Sequence, residues 1–189
     1  MERRLFLKSS AMATGALVSG GMAHASAASA TTPAAVKHNF KLKYAPHFGM
    51  FKNSAGGDLL DQLQFMAEAG FTAMEDNGMK GREITMQEQI ASKMANLGME
   101  MGVFVAHTIY WSEPSLTSGK QDKLDQFLKE IEESVEVAKR VNARWMTVVP
   151  GFVDLRKDLD FQTANVVNAL RRASEILEPH KLTMVLEPL

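Results

Sequence analysis

The sequence predicts an α/β protein made of successive βα units, and two observations carry that expectation. From residue 41 onward, short β-branched or aromatic runs alternate with longer segments of helical period. Gly70, Gly98, Pro150-Gly151 and Pro179 stand where those segments should stop.

Taken in order, residues 42–48 form the first expected strand. Gly56-Gly57-Asp58 then opens a helix carrying Leu59, Leu63, Met66 and Ala67 on its apolar side, and Gly70 closes it. Strand two covers residues 71–75. A helix over 85–97 places Met86, Ile90, Met94 and Leu97 on one face, and strand three follows at 101–107. The plainest helix is 120–141, where Leu124, Leu128, Ile131, Val135 and Ala138 recur at steps of three and four among charged residues. Strand four is expected at 144–149, a helix with Val166, Leu170, Ala173 and Leu177 at 161–178, and strand five at 182–186. Met94, Met99 and Met101 follow helix and strand faces and read as core filling. Five strands and four helices result. That count fits a complete open sheet or part of an eight-unit (βα) barrel. The turn Phe48-Gly49-Met50-Phe51-Lys52-Asn53 lacks the GxGxxG spacing that brings a backbone up to a pyrophosphate.

The start of the chain has a different character. Glu2-Arg3-Arg4-Leu5-Phe6-Leu7-Lys8 pairs two arginines ahead of apolar residues, and small residues at Ala23-His24-Ala25 and Ala28-Ser29-Ala30 offer cleavage sites. This order is that of a twin-arginine export signal over residues 1–30, with a linker at 31–40 and the folded region at 41–189. The expected location is periplasmic or otherwise exported. The apolar stretch in the signal is too short and too rich in Gly, Ser and Ala for a stable membrane anchor. Loss of residues 1–30 removes Arg3, Arg4, Lys8 and Glu2, so the formal charge moves from −1 to −3. An acidic chain without a basic cluster excludes nucleic acid as a partner class. With no cysteine, disulfides, thiolate catalysis and Cys-ligated zinc are excluded as well.

Parallel α/β folds build their sites at the C-terminal ends of strands, which selects His47, the trio Glu75, Asp76 and Asn77, His107 and Glu187. A carboxylate or imidazole placed there needs a partner, because desolvating a charge is costly. His47, Glu75 and His107 are candidate substrate-binding residues, each with a plainer reading as a loop, capping or core residue. Tyr110-Trp111 lies in the loop after strand three, and Trp111 offers an aromatic face for a sugar ring or for loop packing.

Two stretches carry a resemblance. Ala69-Gly70-Phe71-Thr72-Ala73-Met74-Glu75 resembles the second-strand segment of hydroxypyruvate isomerase and related xylose isomerase-like TIM barrels, and Met184-Val185-Leu186-Glu187-Pro188-Leu189 resembles their fifth. The resemblance spans residues 41–189 and implies an α/β fold of (βα) TIM-barrel type, incomplete at about five strands and four helices of eight. It implies a metal-dependent isomerase or epimerase of a small sugar or hydroxyketone, working through an enediolate. Glu187 would then be both the catalytic carboxylate and a ligand of a divalent Mg or Mn ion. The remaining ligands and the second catalytic glutamate of such enzymes belong to strands six to eight, so the expectation is a fragment that is inactive by itself and binds metal poorly. Open sheet edges would be its route to self-association. The alternative reading is a non-catalytic periplasmic carbohydrate-binding or interaction protein.

Overall fold

A computed structural model describes residues 36–188. The expected export signal and residues 31–35 of the expected linker lie outside the described residues. The elements in chain order are α1 (Lys52–Ala55), α2 (Leu59–Glu68), β1 (Ala73–Met74), α3 (Ile84–Asn96), β2 (Glu100–Met101), α4 (Gln121–Val141), β3 (Trp145–Val148), α5 (Leu159–Leu177) and β4 (Thr183–Leu186). Short 3-10 turns occupy Met79–Gly81, Leu116–Ser118 and Glu178–His180.

Strand order separates the two topologies that the element count leaves open. His47 bridges Glu75, β1 pairs with β2, Val105 bridges Thr147, and β3 pairs with β4, every time in parallel. Each strand therefore neighbours the next in sequence, and nowhere among the described residues does the order reverse. A doubly wound open sheet reverses its order at a switch point, whereas a barrel wall winds steadily. The described residues form such a wall.

Helices cover one face of it because their apolar stripes need burial. Phe127, Ile131, Val135, Ala138 and Val141 of α4 pack with Ala169, Ala173 and Leu177 of α5 and with Met146 and Val148 of β3 in one core cluster. Each large apolar side chain taken fully out of water contributes roughly 1.5–3 kcal/mol. The helix ends are chemically marked. Asp58 accepts from the Leu60 and Asp61 N–H groups at the start of α2, Asp158 accepts from Phe161 N–H at the start of α5, and Asn142 ends α4 in the left-handed region.

Two expected strands are shorter than their patterns suggest. In 42–48 only His47 pairs as a strand residue, since Pro46 has no N–H to give and contributes only its carbonyl, to Glu75 N–H. In 101–107 the ladder breaks after Met101. Gly102 N–H donates to the Met74 carbonyl at 2.7 Å and Val103 O still accepts from Asp76 N–H, while on the other edge Phe104 O accepts from Thr147 N–H and Ala106 N–H donates to Thr147 O. The packed region also starts before residue 41. His38 N–H donates to Ala69 O, and Phe40 stacks on Phe71 at 4.7 Å.

That early segment depends on Gly70, which has φ +101°, and whose missing Cβ would lie 2.0 Å from His38 O. Gly98 also has positive φ, +66°, but open space around it. Gly98→Ala should cost roughly 1–2 kcal/mol, the usual penalty for an L-residue in that region. Gly70→Ala should cost clearly more in urea unfolding, because the backbone of residue 38 must also move. Equal losses for the two variants would show that the His38 contact contributes nothing.

Candidate active site at the strand ends

Which residues face the hollow side of the wall follows from alternation. Met146 and Val148 belong to the core beneath the helices, so Thr147 and Val149 face the other way. In the β3–β4 register Thr147 sits beside Val185, which places Glu187, two residues on, on the same concave face. Met74 likewise belongs to the core, so Glu75 faces the concave side, and the bridge to His47 carries that residue with it. His107 lies past the Val105–Thr147 bridge at the same end of the wall, with its ring edge-on to Phe127 of α4. Three of the residues selected from the sequence, His47, Glu75 and Glu187, thus share one side and one end of the wall.

Their surroundings differ. His47 is exposed, with Nδ1 against its neighbour's carbonyl, Phe48 O, at 3.0 Å. Glu75 is half-buried. Glu187 is exposed, its own N–H donating to Val148 O, and among the described residues its carboxylate has no ion-pair or hydrogen-bond partner. Trp111 is 66% exposed in the loop after β2, so no packing consumes its ring. Tyr110 is occupied, with Lys123 Nζ 3.8 Å above its ring and its hydroxyl donating to Gln126. Asp76 is buried and paired with Arg82, whose guanidinium lies over the Phe48 ring, and Asp76 also accepts from Gly78 N–H. It braces the loop.

His107 departs from the expectation of a substrate ligand. It is buried, its Nδ1 lies 2.9 Å from Thr108 O, and its Nε2 accepts from Val149 N–H at 3.1 Å. Both ring nitrogens are used by backbone, leaving no lone pair for a substrate. Burial pushes the imidazole below its ordinary value, against the opposing pull of Glu130. Partial burial raises the Glu130 carboxyl, but hydrogen bonds from Thr108 and Gln126 and the Lys80 charge outweigh it and hold the group low.

The residues that shape the loops around this site were not among the sequence candidates. Gln62, Gln87 and Gln162 are each the fourth residue of their helix, and each is 2% exposed. Gln62 accepts from Gly49 N–H and donates to Gly56 O. Gln87 donates to Met79 O and Arg82 O and accepts from Arg140. Gln162 accepts from Asp154 N–H and donates to Asp154 O, Lys157 O and Asp158 O. Each glutamine fastens the loop that leads into its own helix. In the loop before α4, Glu130 does the same by accepting from the N–H and hydroxyl of Thr108. A signal for these residues exists in the sequence: a glutamine standing in an apolar stripe, as Gln87 does ahead of Ile90 and Met94.

Among the described residues no three His, Asp or Glu side chains lie close enough together to hold a metal ion. Nor is any described helix long and apolar enough to cross a membrane. A cavity of about 100 Å³, lined by Met94, Met99, Met101 and Trp145 among others, lies at the opposite, N-terminal end of the strands.

Replacing Gln162 by Leu should leave the Asp154 N–H and the Lys157 carbonyl without a partner, while Asp154 O keeps Lys157 N–H and Asp158 O keeps the backbone N–H of residue 162, at a cost of about 1–3 kcal/mol. Arg156 and Lys157 are exposed on that loop. Trypsin should therefore cut there about tenfold faster or more in the variant under native conditions. Unchanged cleavage would mean that the loop holds its shape without the glutamine.

Comparison with known proteins agrees with this geometry. The model of the xylose isomerase-like TIM barrel matches residues 63–189, about two thirds of the chain. No curated protein sequence matches. Among solved structures, 3-keto-D-glucoside 4-epimerase from E. coli aligns with a TM-score of 0.62 at 18% identity, over 79% of this chain and 57% of that one. A family 2 AP endonuclease from Brucella melitensis gives 0.60 at 18% identity, over 78% and 55%. D-psicose 3-epimerase from Clostridium cellulolyticum H10, solved with D-tagatose, gives 0.59 at 12%, over 77% and 52%. The chain spans a little over half the length of these structures. The steadily wound parallel wall and the family match together lead to one statement: the chain belongs to the xylose isomerase-like TIM barrel family.

Proposed function

We propose that this chain supplies the Glu187 side of a barrel that isomerises or epimerises a small sugar or hydroxyketone, with hydroxypyruvate the first substrate to test. The observation that carries the reading is the placement of Glu187: a carboxylate on the concave face, at the C-terminal end of a wall strand, with no structural partner among the described residues. A carboxylate kept free of ion pairs at that position is available for proton transfer. Solved structures of similar fold include a 3-keto-D-glucoside 4-epimerase and a D-psicose 3-epimerase, which supports a sugar as the substrate class.

The chemistry requires little else from this half of the barrel. Glu187 takes the proton from the carbon beside the substrate carbonyl, leaving an enediolate. Returning the proton to the adjacent carbon isomerises the substrate, and returning it to the opposite face of the same carbon epimerises it. The exposed ring of Trp111 offers an apolar surface for the C–H face of a sugar, and His47 with Glu75 offers polar groups for its hydroxyls. Were a divalent ion bound in the whole barrel, Glu187 would be this chain's ligand to it and the ion would supply charge stabilisation for the substrate oxygens. Arg3-Arg4 and the segments after it support export by the twin-arginine route, and the proposed reaction is one outside the cytoplasm.

The test is solvent exchange. Protein expressed from the gene with its native flanking sequence is incubated in D2O with hydroxypyruvate and a panel of ketoses. Deuterium should enter the carbon beside the carbonyl, and Glu187→Gln should slow that entry about 10²–10⁴-fold, the usual range for loss of a general base. Full exchange in the Gln variant overturns the role of Glu187. Saturable sugar binding with no exchange in the wild type would favour a carbohydrate-binding protein instead.

A further inference from the structure

The ladder between residues 104–106 and β3 predicts a hydrogen bond that is not made. Thr147 N–H donates to Phe104 O, and Ala106 N–H donates to Thr147 O. In a parallel ladder the next rung would run from Val149 N–H to Ala106 O. Ala106 O is taken instead by Lys80 Nζ and by the Ser134 hydroxyl, which draw it toward α4. Val149 is 1% exposed, so its N–H would be left dry and unpaired were it not for His107 Nε2, which accepts from it at 3.1 Å. An imidazole nitrogen has replaced a carbonyl at the point where two strands part.

We infer that His107 is a proton-sensitive latch, a positioning residue whose neutral ring holds the segment from Val149 to Phe152 at the mouth of the barrel wall. Val149 is the last backbone donor before Pro150, which has none. Beyond it the segment is tied at Gly151, packed against Ser115, and at Phe152, whose carbonyl accepts from the Thr117 hydroxyl. Gln162 fixes the far end of the same loop at Asp154, Lys157 and Asp158. The latch requires Nε2 to be an acceptor. With Nδ1 donating to Thr108 O, the neutral ring meets that requirement, and the protonated ring, a donor at both nitrogens, does not.

The groups facing the ring set its balance. From α4, Phe127 packs edge-on at 5.0 Å, and Glu130 favours the charged ring; from the turn at Met79–Gly81, Lys80 opposes it, itself paired with Glu133. Lys123, Gln126 and Tyr110 line the same small hollow. Desolvation outweighs these, lowering the folded imidazole from its ordinary 6.5. The unfolded chain thus binds this proton first as pH falls. Stability from the neutral ring is fully present above 6.5 and declines from there until the folded ring itself titrates, at which point the latch opens.

The test is amide exchange at Val149 in the 189-residue chain, read as a protection factor against pH, with Val135 of α4 as reference. Ring protonation is followed by imidazole nitrogen shifts. In the wild type, Val149 protection should fall about tenfold or more as the ring protonates, the expected effect of leaving one buried donor unpaired, while Val135 stays protected. His107→Gln, whose amide oxygen can accept the same N–H without titrating, should hold Val149 protection flat across that range. His107→Phe should lose it at every pH. Unchanged wild-type protection after the ring has protonated overturns the latch. So does a Gln variant that follows the wild-type curve, or a loss at Val135 in step with Val149, which marks global unfolding. None of these readouts depends on turnover, so the latch stands or falls apart from the proposed reaction.

Discussion

A βα loop at the mouth of a barrel must leave the sheet, turn over the wall and enter a helix, and along that path its backbone donors and acceptors lose their ladder partners. Buried groups of that kind cost about 1–3 kcal/mol each if left unpaired. In this wall the deficit is met from below by side chains of the following helix. Gln62, Gln87 and Gln162 do it from the fourth residue of α2, α3 and α5, and Glu130 does it from within α4. An amide suits the task because it donates and accepts at once, as Gln162 does with both the N–H and the carbonyl of Asp154. The fastened backbone groups lie at Gly49, Gly56, Met79, Arg82, Thr108 and in the segment from Asp154 to Asp158.

The same constraint explains why the site is rigid at its base and open at its edge. Asp76, Arg82 and Gln87 form a chain of charged and amide contacts that reaches Arg140 on α4. It ties the loop after β1 to two helices. Glu187 has no such tether, which is the condition a carboxylate needs if it is to move a proton and not simply hold a loop. Asp76 and Glu187 are thus separated by their partners, although the sequence places both at strand ends.

Much of the fold could be read from the residues because helices declare themselves locally. The stripe Leu124, Leu128, Ile131, Val135 and Ala138 has one physical reading, and α4 lies where that stripe puts it. Strands depend on partners far away in the chain, and there the reading weakened. Nothing local to residues 42–48 says that only His47 will pair, apart from Pro46. Nothing in 101–107 says that its regular ladder will stop at Met101. Barrel and open sheet were separable only by strand order, which is a set of long-range hydrogen bonds. The strand-end rule put His47, Glu75, His107 and Glu187 at one end of the wall. It could not distinguish a free imidazole from one whose nitrogens are both spent, because Thr108 O and Val149 N–H are backbone groups that every sequence contains.

The two tryptophans sit at opposite ends of this wall. Trp145 begins β3, is 40% exposed and borders the methionine-lined cavity at the N-terminal ends of the strands, while Trp111 stands in the loop above the opposite ends. With only two indoles in the chain, replacing either by Phe leaves a single indole fluorophore. The protein therefore carries its own pair of optical reporters, one for events at the mouth and one for events at the floor.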